Sequence, residues 1–221
     1  MNIWFTSDTH FGHKNIVSGT TAWTDENQQR LRQFNALEEH DAELVNNFNS
    51  VVKEDDILYH LGDWSFGGKD KIWEFREQLI CKNIHLILGN HDQHIEKNEQ
   101  HQTAIFIKRP QELFSSVQHY KELKINGLHF ILCHFAMRVW NKSHKGSIML
   151  YGHSHGTLDE LKPDITSPTW IGDGYFIKNY KTMDVGVDTN NLYPYHLDQI
   201  IDIMRNKDVI LNNDHHSIYT N

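Results

Sequence analysis

The run Ile84-His85-Leu86-Ile87-Leu88-Gly89-Asn90-His91-Asp92 joins an apolar stretch of strand length to a glycine and then to amide, imidazole and carboxylate side chains. Two earlier runs are built alike: Ile3-Trp4-Phe5-Thr6 stops at Ser7-Asp8-Thr9-His10, and Asp56-Ile57-Leu58-Tyr59-His60-Leu61 stops at Gly62-Asp63. Between them the apolar period changes from strand to helix. From about Asp25 to Phe48, the side chains of Leu31, Phe34, Leu37, Leu44, Val45 and Phe48 fall near one face, with Thr24 as N-cap and Asn27 at the third helical position. From Lys69 to Ile80, after the Gly67-Gly68 loop, Ile72, Trp73, Phe75 and Leu79 mark a second helix. Strand, helix, strand, helix, strand predicts parallel strands joined by right-handed crossovers. The C-terminal strand ends then share one edge, where functional groups collect. Asp8, Asp63 and Asn90 all stand at such ends.

Further along, Asn126-Gly127 separates the patterned runs 120–125 and 128–132, a strong hairpin signal. The second arm runs into Cys133-His134. A polar loop leads to Ser147-Ile148-Met149-Leu150-Tyr151, a strand ending at Gly152-His153-Ser154-His155, whose two imidazoles would leave the same face. The span 94–116 is polar and reads as helical or irregular, and 157–179, with Pro163, Pro168, Gly172 and Gly174, as a loop. Thr182–Asp188 reads as a last strand and Leu197–Arg205 as a closing helix. The later strands predict a second sheet, in part antiparallel, packed against the first. The whole chain, 1–221, is expected to be a single domain.

Composition narrows the function. A net charge of −8, with no Lys/Arg cluster, argues against stable nucleic-acid binding but leaves phosphate esters open as small-molecule substrates. Cys81 and Cys133 lack metal-type spacing and read as two reduced core thiols. The N-terminus has neither the basic region nor the apolar run of a signal peptide, and no stretch approaches a membrane span, so a cytoplasmic location and no membrane partner are expected. The 17 histidines are the compositional outlier, and histidine is the commonest metal ligand.

Collected in chain order, the strand-end residues are Asp8, His10, Asp63, Asn90, His91, Asp92, His134, His153 and His155. Carboxylate, imidazole and amide oxygen without thiolate suit Mn, Fe, Zn, Co or Ni. The set is larger than one ion needs, and two divalent ions sharing a bridging carboxylate use it economically. Asp8 and Asp63 would offset only part of the charge of two such ions, leaving a positive site matched to phosphate.

As an ordered set, D-x-H, G-D, G-N-H-D, H and G-H-x-H across residues 8 to 155 resembles the calcineurin-like metallophosphoesterase family. The resemblance implies an α/β (α+β) fold, a four-layer α/β/β/α sandwich of two mixed sheets flanked by helices. It implies two divalent metal ions, with manganese favoured: Asp8, His10 and His155 on the first, Asn90, His134 and His153 on the second, and Asp63 bridging. His91 would be the general acid, protonating the leaving oxygen as metal-bound hydroxide attacks phosphorus in line. The expected activity is that of a metal-dependent phosphoric ester hydrolase leaning toward phosphodiester or nucleotide-type substrates. The compact size is similar to the small bacterial and phage phosphodiesterases of the family. A phosphomonoesterase and a non-catalytic interaction protein on the same fold are the alternatives; a nuclease would need a basic groove that is not visible.

One departure stands out. Where the family's phosphoprotein phosphatases carry an Asp three residues after Gly-Asp, this chain has Phe66. Asp92 or a backbone carbonyl is the candidate to orient His91 in its place. His13 and Arg138 are candidates to touch a substrate phosphate. Trp64 and Trp140 could stack on a base, though tryptophan more often packs in a core. His40, His60, His85, His119, His129, His215 and His216 have no motif partner and read as structural.

Overall fold

The computed structural model describes residues 1–17, 32–102, 107–158 and 181–207. β1 (Ile3–Thr6), α1 (Lys14–Val17), α2 (Leu37–Val51), β2 (Ile57–His60), α3 (Lys69–Gln78), β3 (Asn83–Ile87) and α4 (Gln93–Lys97) come first. A small hairpin of β4 (His101–Gln102) and β5 (Ile107–Lys108) follows, then β6 (Ser116–Gln118), β7 (Tyr120–Ile125), β8 (Leu128–Cys133), β9 (Ile148–Tyr151), β10 (Thr182–Asp184), β11 (Tyr195–His196) and α5 (Leu197–Arg205).

One sheet has the order β11-β1-β2-β3-β6, with β1, β2, β3 and β6 parallel and β11 antiparallel at the edge. The other has the order β10-β9-β8-β7, in which β7 and β8 form the expected hairpin and β8, β9 and β10 run parallel. These two mixed sheets with flanking helices are the expected architecture. A first core, containing Leu44, Phe48, Leu58, Trp64, Phe75, Ile84 and Leu86, joins α2 and α3 to the first sheet. A second, containing Phe5, Leu61, Ile87, Phe130, Leu132, Ile148, Leu150 and Val185, fills the space between the sheets. Each such side chain, fully removed from water, contributes roughly 1.5–3 kcal/mol. β9 is buried at every position, which accounts for its unbroken apolar run.

Register levels the strand ends. Thr6 pairs with His60 and His60 with Leu86, so β1, β2 and β3 finish side by side. Asp8, Asp63 and Asn90 therefore leave from one edge of the first sheet. Leu132 pairs with Leu150, which brings His134 and His153 together at the end of the second sheet.

Three expectations change. The helix expected from Asp25 begins at Leu37, runs to Val51, and has no side-chain N-cap at Ala36. Residues 18–31, and with them Thr24 and Asn27, lie outside the described residues, but Arg32 has φ 55°, a left-handed value that an α-helix does not accept. The second helix ends at Gln78. The last strand stops at Asp184, because the chain then bridges from Gly186 to Ser7 and turns through 187–189. The span 94–116 contains part of α4, the small hairpin and a 3-10 turn at Pro110–Leu113. Residues 159–180, most of the expected loop, and 208–221, with His215 and His216, lie outside the described residues.

Candidate metal centre

The candidate ligands leave their strands through left-handed turns. Asp8, His10, Asp63, His153 and His155 have φ of 57°, 47°, 56°, 69° and 49°. Each left-handed non-glycine residue costs on the order of 1–2 kcal/mol, and such strain collects at functional sites. Hydrogen bonds between turns hold the geometry. Asp8 N–H donates to the Gly62 carbonyl at 2.9 Å, His10 N–H to the Asp63 carbonyl at 3.0 Å, and His153 N–H to Asp8 Oδ2 at 2.9 Å. Gly152 serves by lacking a side chain: a Cβ there would overlap Ser7 Oγ and Asp8 Oδ2. Gly89 does the same against Asp63 and His134.

The turns bring the side chains into two groups. Ligand atoms of Asp8, His10 and His155 lie within 4.8 Å of one another, and so do those of Asp63, His134 and His153. Asn90 Oδ1 joins the second group, 3.0 Å from His134 Nε2. Asp63 Oδ2 stands between the groups, 3.5 Å from His10 Nε2 and 3.6 Å from His134 Nε2. The residues fit divalent cations. Asp8 Oδ1 and both ring nitrogens of His10 are buried without a hydrogen-bond partner, an arrangement that costs free energy unless a ligand fills it.

Outer contacts set the tautomers. His134 Nδ1 donates to the Leu61 carbonyl at 2.7 Å, and His155 Nδ1 to Asp188 Oδ2 at 2.6 Å. With Nδ1 so engaged, Nε2 of each ring is left for the group's centre, the usual arrangement for a ligating histidine. Arg32 grips Asp188 with two hydrogen bonds of 2.7 Å, donates to the Thr9 carbonyl at 2.9 Å, and also bonds the Asp8 carbonyl. It reaches His40 Nε2 at 3.3 Å, while His40 Nδ1 meets Asp41 at 2.9 Å. Asp184 ties down the Gly152–Gly156 turn, accepting from Ser154 Oγ at 2.8 Å and Gly156 N–H at 2.9 Å.

Burial dominates the electrostatics. It pushes the Asp8 carboxyl well above its usual range, helped by the nearby charges of Asp184 and Asp63. It drives His10 well below its usual value, with Arg32 adding to the effect, and lowers His134 despite the pull of Asp63. Burial also pushes Asp188 upward, but the Arg32 guanidinium and the His155 hydrogen bond outweigh it, so that carboxyl stays well below the usual range. The rings of His10 and His134 are thus held in the neutral form, in which histidine binds metal.

The calcineurin-like phosphoesterase superfamily domain matches residues 1–167 of this chain. The chain belongs to that superfamily. Similar proteins include the uncharacterized protein MJ1445 of Methanocaldococcus jannaschii, 28% identical over 94% of this chain and 94% of its own length. Another is the gene 66 protein of Mycobacterium phage L5, 29% identical over 71% of this chain and 79% of the phage protein. Among solved structures, the protein of unknown function AQ665 from Aquifex aeolicus shares the fold at a TM-score of 0.60 and 21% identity, covering 91% of this chain and 98% of that one.

Within this calcineurin-like site the remaining candidates fall unevenly. His91 N–H donates to Asp63 Oδ1 at 2.9 Å, and its ring lies 5.5 Å from that of His10. His13 lies equally close to His10, at 5.5 Å, and burial lowers it to about 4. Arg138 is exposed on the loop after His134. Asp92 does not orient His91. Its two oxygens are taken by the N–H groups of Asp63, Trp64 and Gly89 at 2.8–3.0 Å, so it clamps two metal loops together. Neither tryptophan reaches a base: Trp64 is fully buried with its Nε1 on the Ile72 carbonyl, and Trp140 is 6% exposed with its Nε1 on the Ser147 carbonyl. His40, His60 and His85 are structural as expected, His60 against Thr9 and His85 against Ser116. Cys81 and Cys133 are free thiols. No helix among the described residues is long and apolar enough to cross a membrane.

Arg32, Asp184 and Asp188 were not among the residues expected at the site. Asp184 and Asp188 gave no separate signal, because they lie in the alternating run 182–188 that reads as one strand.

Proposed function

We propose that this protein is a dinuclear metal-dependent phosphoesterase favouring phosphodiester or nucleotide-type substrates. The observation that carries the reading is the pair of ligand groups meeting at Asp63 Oδ2, with Asp8 Oδ1 and both His10 nitrogens buried and unpartnered. Asp8, His10 and His155 would hold one ion, Asn90, His134 and His153 the other, with Asp63 shared and manganese favoured. Two such ions supply Lewis acidity and an oxygen nucleophile at neutral pH.

The chain's own groups do the rest. His91, fixed through its backbone to Asp63, gives a proton to the departing alkoxide oxygen. Asp188 and the Leu61 carbonyl hold His155 and His134 in the ligating tautomer. His13 and Arg138 approach the phosphate oxygens from the rim. Gly152 and Gly89 let two turns close on Asp8 and Asp63 without displacing them. The free thiols support action in the cytoplasm, by one catalytic domain spanning the chain.

The test is turnover of bis-p-nitrophenyl phosphate by manganese-loaded protein, lost on chelation and restored by manganese. His91→Ala should lower kcat roughly 10²–10⁴-fold on a diester with an alkoxide leaving group, and much less on bis-p-nitrophenyl phosphate, whose p-nitrophenolate leaves without needing a proton. Metal-replete protein that turns over neither this diester nor p-nitrophenyl phosphate would defeat the proposal.

A further inference from the structure

Among the described residues the exposed phenylalanines are Phe66, at 38%, and Phe135, at 47%. Exposed apolar side chains scattered singly are ordinary, but these two are not scattered. The Phe66 ring lies 4.1 Å from His13 and 5.4 Å from His91. The Phe135 ring lies 4.9 Å from His134 and 4.8 Å from His153, roughly edge-on to both. His13 and His91 are each 5.5 Å from His10, whose Nε2 lies 3.5 Å from Asp63 Oδ2, and His134 Nε2 lies 3.6 Å from the same oxygen. The phenylalanines therefore bracket the row of imidazoles, one at each end.

The two ends differ in shape. Beside Phe66 a cavity of about 350 Å³ opens, with Phe66, Ile72 and Ile95 on its apolar side and His91, Gln93 and His94 on its polar side. Nothing lies within 4 Å of where a Gly68 Cβ would stand, so the wall there is bare backbone facing open space. The Phe135 end lies on the loop that also exposes Val139, at 51%. A phosphomonoester has one organic arm and needs one apolar wall. A phosphodiester has two, and a phosphate centred over Asp63 would send one toward each end. The leaving arm lies on the side of the group that protonates it, and His91 belongs to the Phe66 end.

We propose that Phe66 with its cavity, and Phe135, are the two arm subsites of a phosphodiester whose substituents both carry a flat ring, aryl or nucleobase, with the leaving arm against Phe66 and the retained arm against Phe135. The inference rests on the phosphoesterase reading of the centre and assigns both phenylalanines as specificity-determining residues. Ring-on-ring contact supplies the selectivity, and it is tolerant of the ring's identity because each ring offers a π face.

The experiment compares kcat/KM on manganese-loaded full-length protein for bis-p-nitrophenyl phosphate and methyl p-nitrophenyl phosphate, which share a leaving arm and differ in the retained one. Phe135→Ala should lower the ratio of the first to the second about fivefold, chiefly through KM, and Phe135→Tyr should restore it. Phe66→Ala should lower both diesters together and leave the ratio in place. Calorimetric binding of diphenylphosphinate, which carries two rings and cannot be hydrolysed, should weaken about fivefold in either alanine variant while inorganic phosphate keeps its affinity. A ratio unmoved by Phe135→Ala, or equal losses for the phosphinate and phosphate, overturns the inference while the phosphoesterase reading stands. Wild-type protein inert on both diesters and on p-nitrophenyl phosphate overturns the two together.

Discussion

Asp8, His10 and His155 are sealed from solvent, at 0%, 2% and 4% exposure, whereas in the other group Asp63 and His134 are buried but Asn90 and His153 lie open. The sealed half is braced from behind by the Arg32–Asp188–His155 chain and by Asp184. In the open half, His134 leans on a single carbonyl, and the ring of His153 meets the rings of His134 and Phe135. Buried atoms without partners cost free energy in the metal-free protein, so the sealed half gains most when an ion enters, and that gain is folding free energy. The open half keeps Asn90 and His153 in water, so under the proposed function it is the side a substrate would approach. One half is a structural investment of the fold and the other a working surface.

The largest break in this contrast should come from Asp8→Ala. It removes a ligand of the sealed half, so kcat should fall roughly thousandfold. The rise in melting temperature on adding manganese to stripped protein should shrink in the same variant, as a melting scan would read. A second, smaller break is Asp188→Asn, which leaves every ligand in place but frees the His155 ring. Losses of roughly 10–100-fold in manganese affinity are typical when such a support is cut, and activity at limiting manganese should fall accordingly and recover at high manganese. A loss that excess metal does not recover would make Asp188 a part of the chemistry and not a brace.

What could be read from the chain divides along the same line. The proposed ligands were legible because each is a polar residue at the end of an apolar run, and strand period alone places Asp8, Asp63, Asn90, His134, His153 and His155 at strand ends. The braces were not. Asp184 and Asp188 sit in Asp184-Val185-Gly186-Val187-Asp188, whose alternation looks like continuing strand; only the Gly186–Ser7 bridge and the following turn fold them under the first group. Arg32 sits in a run with helical apolar period, but its guanidinium is drawn to the Asp8 and Thr9 carbonyls and the chain there is left-handed. The role of Asp92 was misread for a similar reason. Sequence adjacency to His91 suggested a partner, while the Gly89 turn aims the carboxylate at three backbone N–H groups.

Asp92 serves both halves equally, because it fixes Asp63 and the Gly89 turn. Burial raises its carboxyl to about 7, above the unfolded value near 4. The folded protein therefore holds a proton that the unfolded chain has lost, and stability conferred by that proton is present below about pH 4 and disappears as pH rises through about 7. Asp92 alone should contribute a loss on the order of 2–4 kcal/mol across that window, read in urea titrations of metal-stripped protein as the difference between the pH profiles of wild type and Asp92→Asn. A profile of unchanged slope in the variant would assign the dependence to other groups. The smallest effect belongs to the open rim: Arg138→Ala should raise KM a few-fold, about 0.5–1 kcal/mol for an exposed charge, with kcat intact. A larger fall in kcat would move Arg138 from the rim into the centre.

The most direct test is a calorimetric titration of manganese into stripped wild-type protein and into His153→Ala. Two binding events per chain are expected in the wild type, the tighter assigned to Asp8, His10 and His155, and His153→Ala should abolish or weaken only the looser event. A single event of one ion per chain in fully active protein, or a His153→Ala variant in which the tighter event is the one lost, would contradict the account.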